Sequence, residues 1–132
     1  MARHLILDTN YLIAFERGAV ERTSLDDDAL AIAAISATEF RQGIELADTH
    51  ERARNRQLVW DAIAGAITIL DYTPATALHH AKLLAHAQRA GRKRGAHDLI
   101  IAAHAAETGR QVLSTDTNAR FGDLPGVSLA TH

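Results

Sequence analysis

Short apolar runs alternate with helical stretches from one end of the chain to the other, and this alternation constrains the fold more than any other feature. Residues 5–7 (LIL) are too few for a helix and read as a buried strand. The signal returns at 29–35 (ALAIAAI), 66–70 (AITIL) and 111–114 (QVLS), and 127–130 (VSLA) read as an edge strand. Between these runs lie a short helix over 10–17 stopped by Gly18, a helix over 36–47, and a longer one over 49–64 ended by Gly65. A polar loop over 20–28 closes on a solvated acidic run at 26–28. Pro74 suits the first turn of a helix reaching Ala90 with Gly91 as its stop, and residues 97–108 form a further helix capped by Gly109. Strands separated by helices need crossover connections. The expected fold is therefore α/β: a Rossmann-like three-layer α/β/α sandwich with a parallel, five-stranded sheet.

Composition narrows the class. At 132 residues the chain suits one domain spanning 1–132, and 47% hydrophobic residues can build its core without staples. The absence of cysteine removes disulfides and thiolate metal sites and fits a cytoplasmic setting. No apolar run approaches the roughly 18 residues that a membrane span needs. The first strand begins so early that no room is left for a signal peptide. A net charge of −2 does not advertise a nucleic-acid binder, although a local basic patch remains compatible with it. An aromatic content of 5% is too low for a base-stacking platform.

Acids stand at comparable points of successive units. Asp8 ends the first strand, Glu39 lies early in the helix after the second, Asp98 opens the helix entered from Gly95, and Asp116 follows the fourth strand. In a parallel sheet, strand ends and the starts of following helices share one edge, where ligands bind. Two like charges about 4 Å apart repel by on the order of 4 kcal/mol at an effective dielectric near 20. A cluster of carboxylates calls for compensation, and an all-oxygen site suits Mg²⁺ or Mn²⁺. Such a site can activate water and stabilise in-line displacement at a phosphodiester. Each acid also has a plainer reading. Ser36 and Glu39 match a capping box, Asp98 suits a helix dipole, Asp116 a turn, and Asp8 an N-cap.

The motifs LILDTNYLI, ISATEF, GAHDLIIAAHA and VLSTDTNARF occur in this order across essentially the whole chain. In order, spacing and overall length, the chain resembles PIN-domain ribonucleases, and most of all the VapC-type toxins of bacterial toxin–antitoxin pairs. The resemblance implies Mg²⁺- or Mn²⁺-dependent endonucleolytic cleavage of RNA by a PIN-like nuclease domain. It also implies a cognate antitoxin and a homodimer. The metal-binding acids would be Asp8, Asp98 and Asp116, with Glu39 ligating through water or orienting the attacking water. Thr9, Asn10 and Thr115 match the supporting polar positions, and Asn118 stands where some relatives carry a further acid.

Arg89, Arg92, Lys93 and Arg94 lead into the Asp98 helix and are the candidate phosphate contacts. His97, beside Asp98, is a further candidate. Arg52, Arg54 and Arg56 read as a solvated helix face, and Trp60 as a core or interface cover. The chain holds eight histidines, but no H-x-x-x-H or HExxH pattern that would suggest zinc. The competing functions are another Mg²⁺-dependent phosphatase or nuclease on a Rossmann-like sheet, and a module that binds a partner and cleaves nothing. A haloacid-dehalogenase-like site would need an acid where Asn10 stands, and no P-loop motif is present.

Overall fold

Three parallel ladders build the sheet. β1 (His4–Leu7) pairs with β2 (Ala29–Ala33) on one side and with β4 (Gln111–Leu113) on the other, and β3 (Thr68–Leu70) extends the β2 edge. The strand order is β3-β2-β1-β4. The computed structural model describes residues 2–18 and 25–131, so part of the expected 20–28 loop lies outside the described residues. Of its acidic run, Asp26 and Asp27 are exposed. Asp28 instead takes Arg3 Nη2 at 2.8 Å, which ties the start of β1 to the start of β2.

Helices cover both faces. α1 (Thr9–Glu16), α2 (Ala34–Glu45) and α3 (His50–Ala66) carry the chain from β1 through β2 to β3 on one side. α4 (Pro74–Ala90) and α5 (Ala96–Thr108) return it to β4 on the other. The strand alternation decides which residue meets which layer. Leu5 and Leu7 pack with Tyr11, Leu12, Phe40, Trp60 and Ile63. Ile6, between them, points the other way and packs with Leu83, Leu99, Ile101 and Phe121. Trp60 is buried with its ring centroid 5.7 Å from that of Phe40, as a core cover should be. Arg56 departs from the solvated reading: its Nη1 donates to the Gly43 carbonyl at 2.6 Å and pins α3 to α2.

Among the described residues the sheet has four strands, not five. The expected edge strand at 127–130 forms a single parallel bridge, Leu129 to Val112. Val112 N–H donates to Ser128 and Ala130 N–H donates to Val112, both at 2.8 Å. β4 is only three residues long, and alternate residues present their backbone groups to opposite edges. Val112 alone faces outward, so a longer ladder has nothing to pair with.

Helix limits also move. α2 begins at Ala34, with Ala33 as an N-cap lacking any side-chain bond, so the expected Ser36–Glu39 capping box does not form. The β2–β3 ladder stops at Ala33, and the chain turns into helix at once. α3 runs through Gly65 to Ala66, because Ile67 N–H still finds the Ile63 carbonyl at 2.8 Å. α4 matches its expected limits: Thr73 and Thr76 form the capping box, Pro74 opens the helix, and Gly91 closes it at φ 65°.

Candidate active site

The strand order reverses around β1, whose neighbours β2 and β4 belong to opposite directions of chain travel. Beyond the carboxyl ends of β1 and β4 a crevice must open. A solvent-facing cavity of about 360 Å³ lies there, lined by Asp8, Thr9, Asn10, Ile13, Glu39, Gln42, His97, Asp98 and Asp116. All four sequence candidates for acids are therefore on its wall.

Asp8 leaves β1 as its ladder ends and caps α1. Its Oδ1 accepts the Tyr11 N–H at 2.7 Å, and its Oδ2 accepts the Ser114 hydroxyl. It is only 2% exposed. Burial pushes its carboxyl above the usual carboxylate value; the Ser114 and Tyr11 donors oppose this, and the charges of Asp98 and Asp116 add to it. The capping role and the site role fall on the same residue.

Glu39 sits in the second turn of α2 and turns its carboxylate toward α1. Its Oε1 accepts from Thr9 Oγ1 at 2.8 Å, and its Oε2 lies 3.3 Å from His97 Nδ1. Thr9 Oγ1 is also 3.1 Å from Ser36 Oγ, which is fully buried beneath it. Asp98 occupies the first turn of α5, where the helix dipole favours an acid. Burial raises its proton affinity first, then the negative charges of Asp116 and Glu39, while His97 and Arg94 lower it. Asp116 follows β4 in a tight turn. Asn118 N–H donates to its Oδ1 at 2.9 Å, and Asn10 Nδ2 donates to its Oδ2 at 3.3 Å.

Ser114 is the residue that sequence reasoning missed. Its hydroxyl reaches Asp8 and also accepts the Asp116 N–H at 2.9 Å, so one side chain ties two of the acids together. Its signal was a hydroxyl residue two places before an acid at a strand end, the pattern of a local side-chain turn. Thr115, the expected hydroxyl residue, is exposed and does not line the cavity. Asn118 contributes its backbone to Asp116, but its side chain lines a neighbouring cleft instead.

That cleft, about 470 Å³, is walled by Arg92, Lys93, Arg94, Asn118 and Arg120. Arg89 is on the last turn of α4 and does not line it. Among the described residues, His97 is the one histidine that lines the acidic cavity.

The donor set fits a hard divalent cation, since every acid offers carboxylate oxygen, and burial first, then the neighbouring negative charges, make Asp8 and Asp98 hold their protons more tightly. The groups line the cavity without converging. Among the described residues no three carboxylate or imidazole groups are gathered closely enough to hold an ion by themselves.

The PIN domain family profile matches residues 5–125. The tRNA(fMet)-specific endonuclease VapC of Shigella flexneri is 30% identical over 125 residues, covering 90% of this chain and 92% of that protein. Among solved structures, the DNA-bound VapBC of Salmonella typhimurium superposes with a TM-score of 0.82 at 27% identity, covering 98% of both chains. VapBC2 of Rickettsia felis, bound to a promoter DNA fragment, gives a TM-score of 0.84 at 19% identity, covering 96% of this chain and 97% of that one. With this architecture, this arrangement of acids and these matches, the chain belongs to the PIN-domain family, in its VapC-type branch.

Proposed function

We infer that the chain is an endoribonuclease and the toxin of a toxin–antitoxin pair, and we propose that it works with Mg²⁺ or Mn²⁺ held by Asp8, Asp98, Asp116 and Glu39. The observation that carries this reading is that acids from separate stretches of the chain line one cavity at the switch in strand order. Family membership favours it over a phosphatase or a binding module that cleaves nothing.

When bound, such a cation supplies Lewis acidity toward a phosphate and acidifies water. The chain's own residues prepare the site. Ser114 and the Tyr11 N–H keep Asp8 oriented and oppose its protonation. Thr9 and His97 hold Glu39 at the cavity wall, where it can accept a proton from an attacking water. Asn10 steadies Asp116. Thr115 and Asn118 have no side-chain part in this scheme.

A cognate antitoxin is the partner, a reading supported by the VapBC complexes among the structural neighbours. A homodimer is proposed on the resemblance, and Leu78 and Leu84, exposed on α4, offer apolar surface for it; a monomeric mass by light scattering would count against it. Among the described residues no helix is long and apolar enough to cross a membrane. We place the reaction in the cytoplasm, and microscopy of a tagged chain tests that placement.

The test is cleavage of a cellular RNA pool, with tRNA(fMet) included because of the Shigella relative's name. Protein freed of any partner should cut RNA in Mg²⁺ or Mn²⁺. Cutting should vanish in EDTA and in Asp8→Asn, since Asn keeps the N-cap but not the charge. Cleavage that survives either change would sink the metal–acid mechanism.

A further inference from the structure

An endoribonuclease whose reaction centre is a ring of carboxylates faces an electrostatic problem, because its substrate is itself a polyanion. Cations must stand close enough to outweigh the repulsion, and the net charge of −2 shows that they cannot come from the molecule as a whole. The cleft beside the acidic cavity is where they are concentrated. Arg92, Lys93, Arg94 and Arg120 line it with Asn118, and among the described residues no carboxylate does.

These residues have different tasks. Arg94 Nη1 donates to the carbonyls of Ala119 at 2.7 Å and Arg120 at 2.9 Å, so this guanidinium braces the turn after Asp116. Arg120 is the non-glycine residue with a left-handed backbone, φ 50°, among the described residues. A strained non-glycine residue persists where its surroundings hold it, often at a binding site. Arg120 lines the cleft from this braced turn, and its Nε donates to the half-exposed Asp123 at 3.1 Å. Arg92 and Lys93, on the facing loop, enter no ion pair among the described residues.

The cleft and the cavity are joined through a hydrogen bond between their linings. Asn118, which lines the cleft, gives its backbone N–H to Asp116, which lines the cavity. Arg94 lies in the loop just before the N-cap of α5, the helix that carries Asp98, and its charge acts on that carboxyl. We propose that the cleft formed by Arg92, Lys93, Arg120 and Asn118 is a subsite for a backbone phosphate of the RNA substrate, adjacent to the phosphate that is cleaved. Arg94 is a positioning residue for that subsite, and Arg89 lies outside it. The proposal rests on the endoribonuclease reading and adds to it where the strand runs.

Binding can be separated from cutting by using the full chain carrying Asp8→Asn in EDTA, with a fluorescein-labelled single-stranded RNA oligonucleotide read by anisotropy at several salt concentrations. The variant Arg92→Ser/Lys93→Ser/Arg120→Asn removes the three cations while Asn tolerates the left-handed backbone. It should bind at least tenfold more weakly, and the slope of log K against log salt should fall by about 0.7, the value for one lost phosphate contact on a single strand. Arg92→Lys/Arg120→Lys should restore most of both, and Arg89→Ser should behave as the parent does. Circular dichroism checks that each variant is folded. An unchanged slope in the folded triple variant overturns the subsite, and so does preferential binding of poly-glutamate over RNA at the cleft. If the wild-type chain still cuts RNA in Mg²⁺, the subsite alone has failed; a wild type that neither binds nor cuts RNA removes the endoribonuclease reading as well.

Discussion

Ser114 shows how much one hydroxyl can decide. Asp8 is 2% exposed and its carboxyl is pushed up by burial, yet the proposed metal–acid mechanism needs it ionised. The Ser114 hydroxyl is the largest influence in the opposite direction. Ser114→Ala leaves a buried carboxylate oxygen without its donor, a loss of about 1–3 kcal/mol. The pKa of Asp8 should then rise further. Under the proposed mechanism the ionised form is the active one, so the acid limb of the pH–activity profile should move to higher pH, with activity at neutral pH falling roughly 10- to 100-fold. Ser114→Thr should retain the limb. A pH–rate profile of Ser114→Ala that overlays the wild type would show that the hydroxyl does not tune Asp8. Sequence alone could name Asp8 but not Ser114, because the contact joins residues far apart in the chain.

At the scale of elements, where a helix starts determines which way its acids face. Ser36-Ala37-Thr38-Glu39 has capping-box spacing, but α2 starts two residues before Ser36, at Ala34. Ser36 is thereby drawn under Thr9, and Glu39 is carried into the second turn, toward His97. α5 offers the complementary case. Gly95 precedes it with an ordinary φ of −62°, so its lack of a side chain is not a matter of backbone freedom. A Cβ at Gly95 would lie 2.7 Å from Asp98 Oδ2. Gly95→Ala should fold with its melting temperature kept or slightly raised, since the unfolded chain loses freedom. Its cleavage rate should drop on the order of 100-fold, the cost of displacing a reacting group by about 1 Å. Thermal melts and cleavage rates measured side by side check this; full activity in Gly95→Ala would mean that Asp98 tolerates the shift.

For the whole molecule, the acidic cavity sets stability against function. The folded pKa of Asp98 is raised, so its ionised form is disfavoured by the fold. That penalty is absent in acid, where the group is protonated in both states. It develops as pH rises from the ordinary carboxylate range through the raised folded value. In metal-free buffer at neutral pH, Asp98→Asn should melt roughly 2–4 °C above the wild type. The gain should fade as pH falls through the folded pKa. Adding Mg²⁺ should raise the wild-type melting temperature more than that of the variant, because only a bound ligand stabilises. Calorimetry in EDTA and in Mg²⁺ reads both effects. A variant that melts lower than wild type in EDTA at neutral pH would mark Asp98 as a structural residue.

What the sequence by itself determined is the layered plan and the identity of the acids. Alternating apolar runs and helix stops are local signals, and they set β1, α4 and the α/β class because neighbouring residues carry them. The acids at strand ends and helix starts were legible for the same reason. Tertiary structure decided the rest. It limited the sheet to four strands among the described residues, since a three-residue β4 exposes only Val112 to a fifth. It moved the start of α2, put Ser114 in place of Thr115, and turned Asn118 and Arg120 toward the basic cleft. Each of these depends on contacts between segments far apart in the chain, and no periodicity within one segment carries information about them.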